Sequence, residues 1–131
     1  MKIVQQLSLF VENKPGTLAD VCQALARQKI SIHALSVSDA VDHAVIRMVV
    51  DQAERAIHLL GEHGVLVVER DVLMLKGRNQ PGEMATIARK LARSRVNIDY
   101  AYTATPPGAS DGVMVLRVSD MKRARRVLKD H

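Results

Sequence analysis

Residues 13–29 read NKPGTLADVCQALARQK and residues 79–95 read NQPGEMATIARKLARSR. The same Asn-x-Pro-Gly turn thus opens a helix twice, 66 positions apart, and a repeat of that length restricts the fold to two copies of one supersecondary unit. Extended through Ser36 and Tyr102, the alignment holds eight identities in twenty-four positions: Asn13/Asn79, Pro15/Pro81, Gly16/Gly82, Ala19/Ala85, Leu25/Leu91, Ala26/Ala92, Arg27/Arg93 and Ile32/Ile98. Each copy is about 65 residues, near the lower size at which a core is stable alone, so the copies are expected to lean on each other. The boundary is placed between residues 69 and 70, giving modules 1–69 and 70–131.

Hydrophobic periodicity gives the elements of each copy. Residues 2–11 alternate Leu7, Leu9 and Val11 with Gln6, Ser8 and Phe10, the period of a half-buried strand. After the turn, Leu18, Val21, Cys22 and Leu25 form one stripe of a helix over 17–28. Strands are predicted over 30–38, 44–50 and 65–68. Between the last two lies a helix with Asp51 as N-cap, stripe Ala53, Ala56, Ile57 and Leu60, and Gly61 or Gly64 as terminator. The second copy repeats the order with strands over 72–75, 96–104 and 113–118. Its first helix, 83–94, has the stripe Met84, Ile87, Ala88 and Leu91; its second is capped by Asp120, with Met121, Ala124, Val127 and Leu128 inward. The segment 105–112, with two prolines and two glycines, is a longer and more mobile version of the earlier turn at 39–42.

The fold class is therefore α+β: two ferredoxin-like βαββαβ modules, each an antiparallel sheet in the order 4-1-3-2 with both helices on one face. The second module ends at His131, one strand short. Its exposed first strand is expected to recruit Val65–Val68 or a strand of another chain. Residues 44–50 and 113–118 are apolar on both parities except for Arg47 and Arg117, so the helix-free face is expected to be covered, which predicts a homo-oligomer, a dimer.

Composition narrows the function. The aromatic content is Phe 1, Tyr 2 and Trp 0, so the core is aliphatic. One cysteine, Cys22, cannot form an internal disulfide, and the start of the chain breaks its apolar run too early for a signal peptide or membrane span; a cytoplasmic protein without membrane contact is expected. Residues 1–66 carry six Lys/Arg against seven Asp/Glu, and residues 67–131 thirteen against seven, so the whole basic excess lies in the second half. It gathers at Arg89, Lys90, Arg93 and Arg95, and at Lys122, Arg123, Arg125, Arg126 and Lys129. His33, His43, His58, His63 and His131 fall at no recognised metal-ligand spacing, Cys22 belongs to a helix stripe, and no phosphate loop, nucleophile elbow or carboxylate pair is present. No enzyme, metal or cofactor is expected.

The Asn-x-Pro-Gly corner suits a zwitterion. The mouth of a helix presents free backbone N–H groups to a carboxylate, and an asparagine before it offers both a donor and an acceptor. The same corner also serves as a plain strand-to-helix turn with its asparagine bonded to local backbone.

Val11 to Leu18 leading from strand to helix, with Gln28-Lys29-Ile30-Ser31-Ile32 opening the next strand, resembles an ACT domain. Gly77 to Met84 with Ser94-Arg95-Val96-Asn97-Ile98 resembles a second. The resemblance covers nearly the whole chain and departs in the absent last strand and in Met84 for the usual Leu. It implies a non-catalytic sensor of a free amino acid that modulates an enzyme of amino-acid metabolism, the ligand lying between the turn of one module and the second-strand opening of another. One implied pocket pairs Asn13, Lys14, Pro15, Gly16 and Thr17 with Asn97 and Asp99. The other pairs Asn79, Gln80, Pro81, Gly82 and Glu83 with Ser31 and His33, where Glu83 would repel a carboxylate, so the first is favoured. The alternative is a ligand-independent module docking on an acidic protein or nucleic acid through its basic helical face. Nucleic acid is disfavoured because Phe10, Tyr100 and Tyr102 do not form the stacking pair of an RNA-binding sheet.

Overall fold

The computed structural model describes residues 1–131. Its contacts divide the chain into two compact units, Gln5–Arg70 on one side and Asp71–His131 together with Met1–Val4 on the other.

The first unit is built from β1 (Lys2–Val11), α1 (Thr17–Arg27), β2 (Ile32–Asp39), β3 (Ala44–Val50), α2 (Ala53–Glu62) and the start of β4 (Leu66–Arg78). Its strand order is β2-β3-β1-β4, the 4-1-3-2 order of the sequence reading. Antiparallel pairing sets Leu7 opposite Met48 and Leu9 opposite Ile46. These four side chains join Val21, Leu25 and Leu60 in an aliphatic core, where each fully buried leucine contributes about 1.5–3 kcal/mol. The buried positions of α1 are Val21, Ala24 and Leu25, whereas Leu18 is 38% exposed and Cys22 half-buried. The inner stripe thus passes through Ala24 and leaves the first turn overhanging the corner. Asp51 does not cap α2: Gln52 holds the N-cap position, and the Asp51 carboxylate accepts from the N–H of Ser31 at 3.0 Å. Gly64, at φ +75°, ends the α2 segment in the left-handed region.

The second unit contains the rest of β4, α3 (Glu83–Arg93), β5 (Ile98–Ala104), β6 (Asp111–Val118) and α4 (Met121–Val127). Leu73, Leu75, Ile87, Leu91, Leu116 and Leu128 lead its core. Asp120 caps α4 as expected, accepting from the N–H of Arg123 at 2.9 Å. No strand follows α4. The compensation differs from the two expected routes: the first residues of β1 lie in this unit, where β1 neighbours β4, so the order is β1-β4-β6-β5. The chain's own start takes the place of a fourth strand. Glu69-Arg70-Asp71, expected as a link between two strands, is extended backbone inside the single strand β4. All three side chains are exposed, which is why their polarity interrupts the apolar run without interrupting the strand.

On the helix-free side, Val49, Val72 and Val115 are buried yet belong to neither core cluster, and Gln6 and Ser8 are buried and bonded to each other at 3.4 Å. These side chains are already withdrawn from solvent in one chain, so their character alone does not call for a second copy.

Candidate functional site: two unequal corners

Both repeats turn from strand to helix through a glycine in the left-handed region, Gly16 at φ +93° and Gly82 at φ +87°. That backbone state disfavours any side chain, and it explains the Pro-Gly of each copy. Gly16 O accepts from Asp20 N at 2.9 Å, and Gly82 O from Thr86 N at the same distance, so each glycine carbonyl starts its helix. Neither glycine can cap its helix with a side chain, which leaves the first-turn N–H groups dependent on other partners.

The side chains around the two corners differ. At the first, Asn13 is exposed and its side chain makes no hydrogen bond. Lys14 pairs with Glu12 at 3.0 Å in solvent, Thr17 N donates to Lys14 O at 3.3 Å, and Pro15 is exposed. At the second, Asn79 is tied down: its Nδ2 donates to Ala109 O at 2.7 Å and its backbone N–H to Ser110 O at 2.9 Å. The segment 105–110 is two residues longer than 40–43, and this extra length lets it reach the corner and hold it. Gln80 and Pro81 are exposed. Glu83, which was expected at the mouth of the helix, is instead folded inward and buried. One carboxylate oxygen accepts from the N–H of Arg78, and the other meets His131 Nε2 at 3.0 Å. His131 Nδ1 in turn lies 3.2 Å from the Lys90 ammonium.

The second-strand openings are also related by the repeat. Ser31 exchanges hydrogen bonds with Asp51, and Asn97 exchanges them with Ser119. His33 and Asp99 sit at matching irregularities, where the register of β2 on β3 and of β5 on β6 shifts. Asn97 Nδ2 donates to the Asp99 carboxylate at 2.9 Å, leaving the Asn97 carbonyl and the second Asp99 oxygen as acceptors suited to an ammonium. The sequence reading missed the Glu83, His131 and Lys90 group. The signal was available in the repeat, because the first copy has Thr17, His63 and Ala24 at the corresponding places.

No group of three or more His, Cys, Asp or Glu is placed to hold a metal ion, and no helix is long and apolar enough to cross a membrane.

A family model described as an ACT domain pair matches residues 1–131. Among solved structures, protein BT0572 from Bacteroides thetaiotaomicron is 30% identical with a TM-score of 0.91, covering 98% of this chain and 88% of that one. The ligand-free regulatory subunit of aspartate kinase from Thermus thermophilus is 18% identical with a TM-score of 0.72, covering 98% of this chain and 96% of its own. The aspartokinase alpha and beta subunits give 20% identity and a TM-score of 0.65, with 98% and 95% covered. No curated protein matches the chain. Because that family model spans the full sequence, the chain belongs to the ACT domain pair family.

Proposed function

We propose that the chain is a regulatory module without catalysis of its own, which binds a free amino acid at the Asn13 to Thr17 corner and passes that state to a cytoplasmic metabolic enzyme. One observation supports the choice of corner: the Asn13 side chain makes no hydrogen bond and no side chain caps α1, whereas the side chains of Asn79 and Glu83 are held by the chain itself. The ligand carboxylate meets the first-turn N–H groups after Gly16, flanked by Lys14, Pro15 and Thr17, and Asn13 bonds the zwitterion. Asn97 and Asp99 of a facing module take the ammonium. The corner of Asn79, Gln80, Pro81, Gly82 and Glu83, with Ser31 and His33, stays without ligand.

The solved neighbours that are regulatory subunits of aspartate kinase support a regulatory role for the same fold. The proposed assembly is a homodimer through β2, an edge strand of its unit on which Leu35 and Val37 remain exposed. The enzyme docks on α4, where Lys122, Arg125, Arg126 and Lys129 line one cleft and Arg93, Arg95, Arg123 and Arg126 another, with no carboxylate in either. Binding moves the partner only insofar as the ligand prefers one of two arrangements.

A thermal-shift panel of the twenty amino acids at about 10 mM tests the sensor reading, since a ligand well above its Kd stabilises by a few kcal/mol. One amino acid should raise Tm in the wild type and in Asn79→Ala, and lose its effect in Asn13→Ala. A flat panel would overturn it.

A further inference from the structure

The repeat also relates two second helices, and the first copy shows which residues such a helix needs. At an offset of 68, the longer loop adding two, Ala56 corresponds to Ala124 and Leu60 to Leu128, and all four are buried. Arg55 corresponds to Arg123, and each guanidinium donates to the carbonyl that closes the preceding helix, Arg55 to Gln28 O at 3.2 Å and Arg123 to Ser94 O at 3.3 Å. These positions hold the fold in both copies. The remaining ones do not: Glu54, Ile57, His58 and Gly61 of the first repeat give way to Lys122, Arg125, Arg126 and Lys129 in the second. A scaffold that forms without cations there in one copy does not require four of them in the other.

Those four cations surround one cleft of about 510 Å3, whose only other lining residue is Met1. All four are exposed, and their side chains form no ion pair or hydrogen bond. The carboxylates at the two ends of the segment are engaged elsewhere: Asp120 caps α4 and pairs with Arg123, and Asp130 lines the cleft that holds Glu83. Local electrostatics works against this arrangement. α1, α2 and α3 carry Asp20, Glu54 and Glu83 in their first turns, where an acid complements the helix dipole, whereas α4 has Lys122 and Arg123 there. Lys122 also stands one turn from Arg125 and Arg126, a spacing at which like charges destabilise a helix. Within its span α4 buries only Ala124, so packing offsets little of this repulsion. An anion seated in the cleft removes it.

We infer that this cleft binds the phosphate chain of a small polyphosphate, inorganic or carried by a nucleotide. A single phosphate group brings at most about two negative charges, half of what four cations balance, whereas a chain of three matches them in a compact volume. The planar forks of Arg125 and Arg126 grip phosphate oxygens in pairs, and the Lys122 and Lys129 ammonium groups add point charges beside them. The volume lies in the range of small-molecule sites. No aromatic ring lines the cleft, so the phosphates and not a base carry recognition, and single-stranded nucleic acid lacks a stacking platform. The inference goes beyond the amino-acid reading and stands without it, since no residue of the Asn13 corner lines the cleft. It adds a second input to the module: a polyphosphate on α4 competes for the same cations with the enzyme proposed to dock there.

The test is isothermal titration calorimetry of the full chain with inorganic triphosphate, at about 0.15 M salt so that diffuse attraction is screened. Saturable binding with a Kd below about 1 mM is expected, unchanged in Asn13→Ala. ATP should bind comparably and adenosine should not bind. Lys122→Glu and Arg126→His, which restore the residues of the first repeat, should each weaken triphosphate at least about tenfold. Arg89→Ala, which removes an exposed cation of α3 outside the cleft, should leave it unchanged. No saturation by about 5 mM, an equal loss in Arg89→Ala, or binding that requires the adenosine would overturn the proposal. So would equal binding of citrate or oligoglutamate, or tighter binding of a duplex oligonucleotide.

Discussion

The two corners of this chain share a backbone and differ in what occupies it. Gly16 and Gly82 adopt nearly the same left-handed conformation, and each hands its carbonyl to the fourth residue of the following helix. Around the second, Glu83, His131, Lys90, Asn79 and the segment 105–110 close on one another; around the first, their counterparts are small, exposed or short. Turn geometry and turn chemistry have separated within one molecule. A repeat can keep the backbone of a corner while its side chains change what that corner leaves open.

The largest expected effect is on stability at the closed corner. Glu83→Ala leaves the Arg78 N–H and the His131 ring without their partner in a buried setting and should cost about 2 kcal/mol by chemical denaturation. Thr17→Ala, its counterpart, should be close to neutral; equal losses would mean that the corners are not energetically distinct. Next, Gly16→Ala and Gly82→Ala should each cost about 1 kcal/mol, because the only obstacle at either position is positive φ, with no atom within 4 Å of an added Cβ. Unequal costs would show that the shared backbone is not equivalently strained. The smallest effect separates the asparagines. Asn79→Ala should lose about 0.5 kcal/mol with its bond to Ala109 O, whereas Asn13→Ala should leave denaturation unchanged.

The legible part of the fold was carried by periodicity that survives in short windows. The strand at 44–50 and the cap at Asp120 fall where side-chain pattern alone places them, as does the 4-1-3-2 order. What the pattern could not carry was extended backbone beneath exposed charge. Glu69-Arg70-Asp71 reads as a break because polarity reports which face is wet, not whether the strand stops. The choice of Gln52 over Asp51 at the start of α2 turned on a competing acceptor role, since the Asp51 carboxylate serves Ser31 N across the fold. Of the candidate site, the two corners were legible because glycine at positive φ leaves a local signature. The burial of Glu83 was not, because its partner His131 lies far along the sequence and only an alignment of the second helix of each repeat brings it into view.

The split of β1 has a practical consequence. Its first residues belong with Asp71–His131 and the remainder with the other unit, while β4 also passes from one to the other. A gene cut between the copies would therefore yield no self-sufficient half: a fragment starting near residue 70 would leave one flank of β4 bare and prone to capture foreign strands. Duplication here has produced halves that must be inherited, expressed and degraded together.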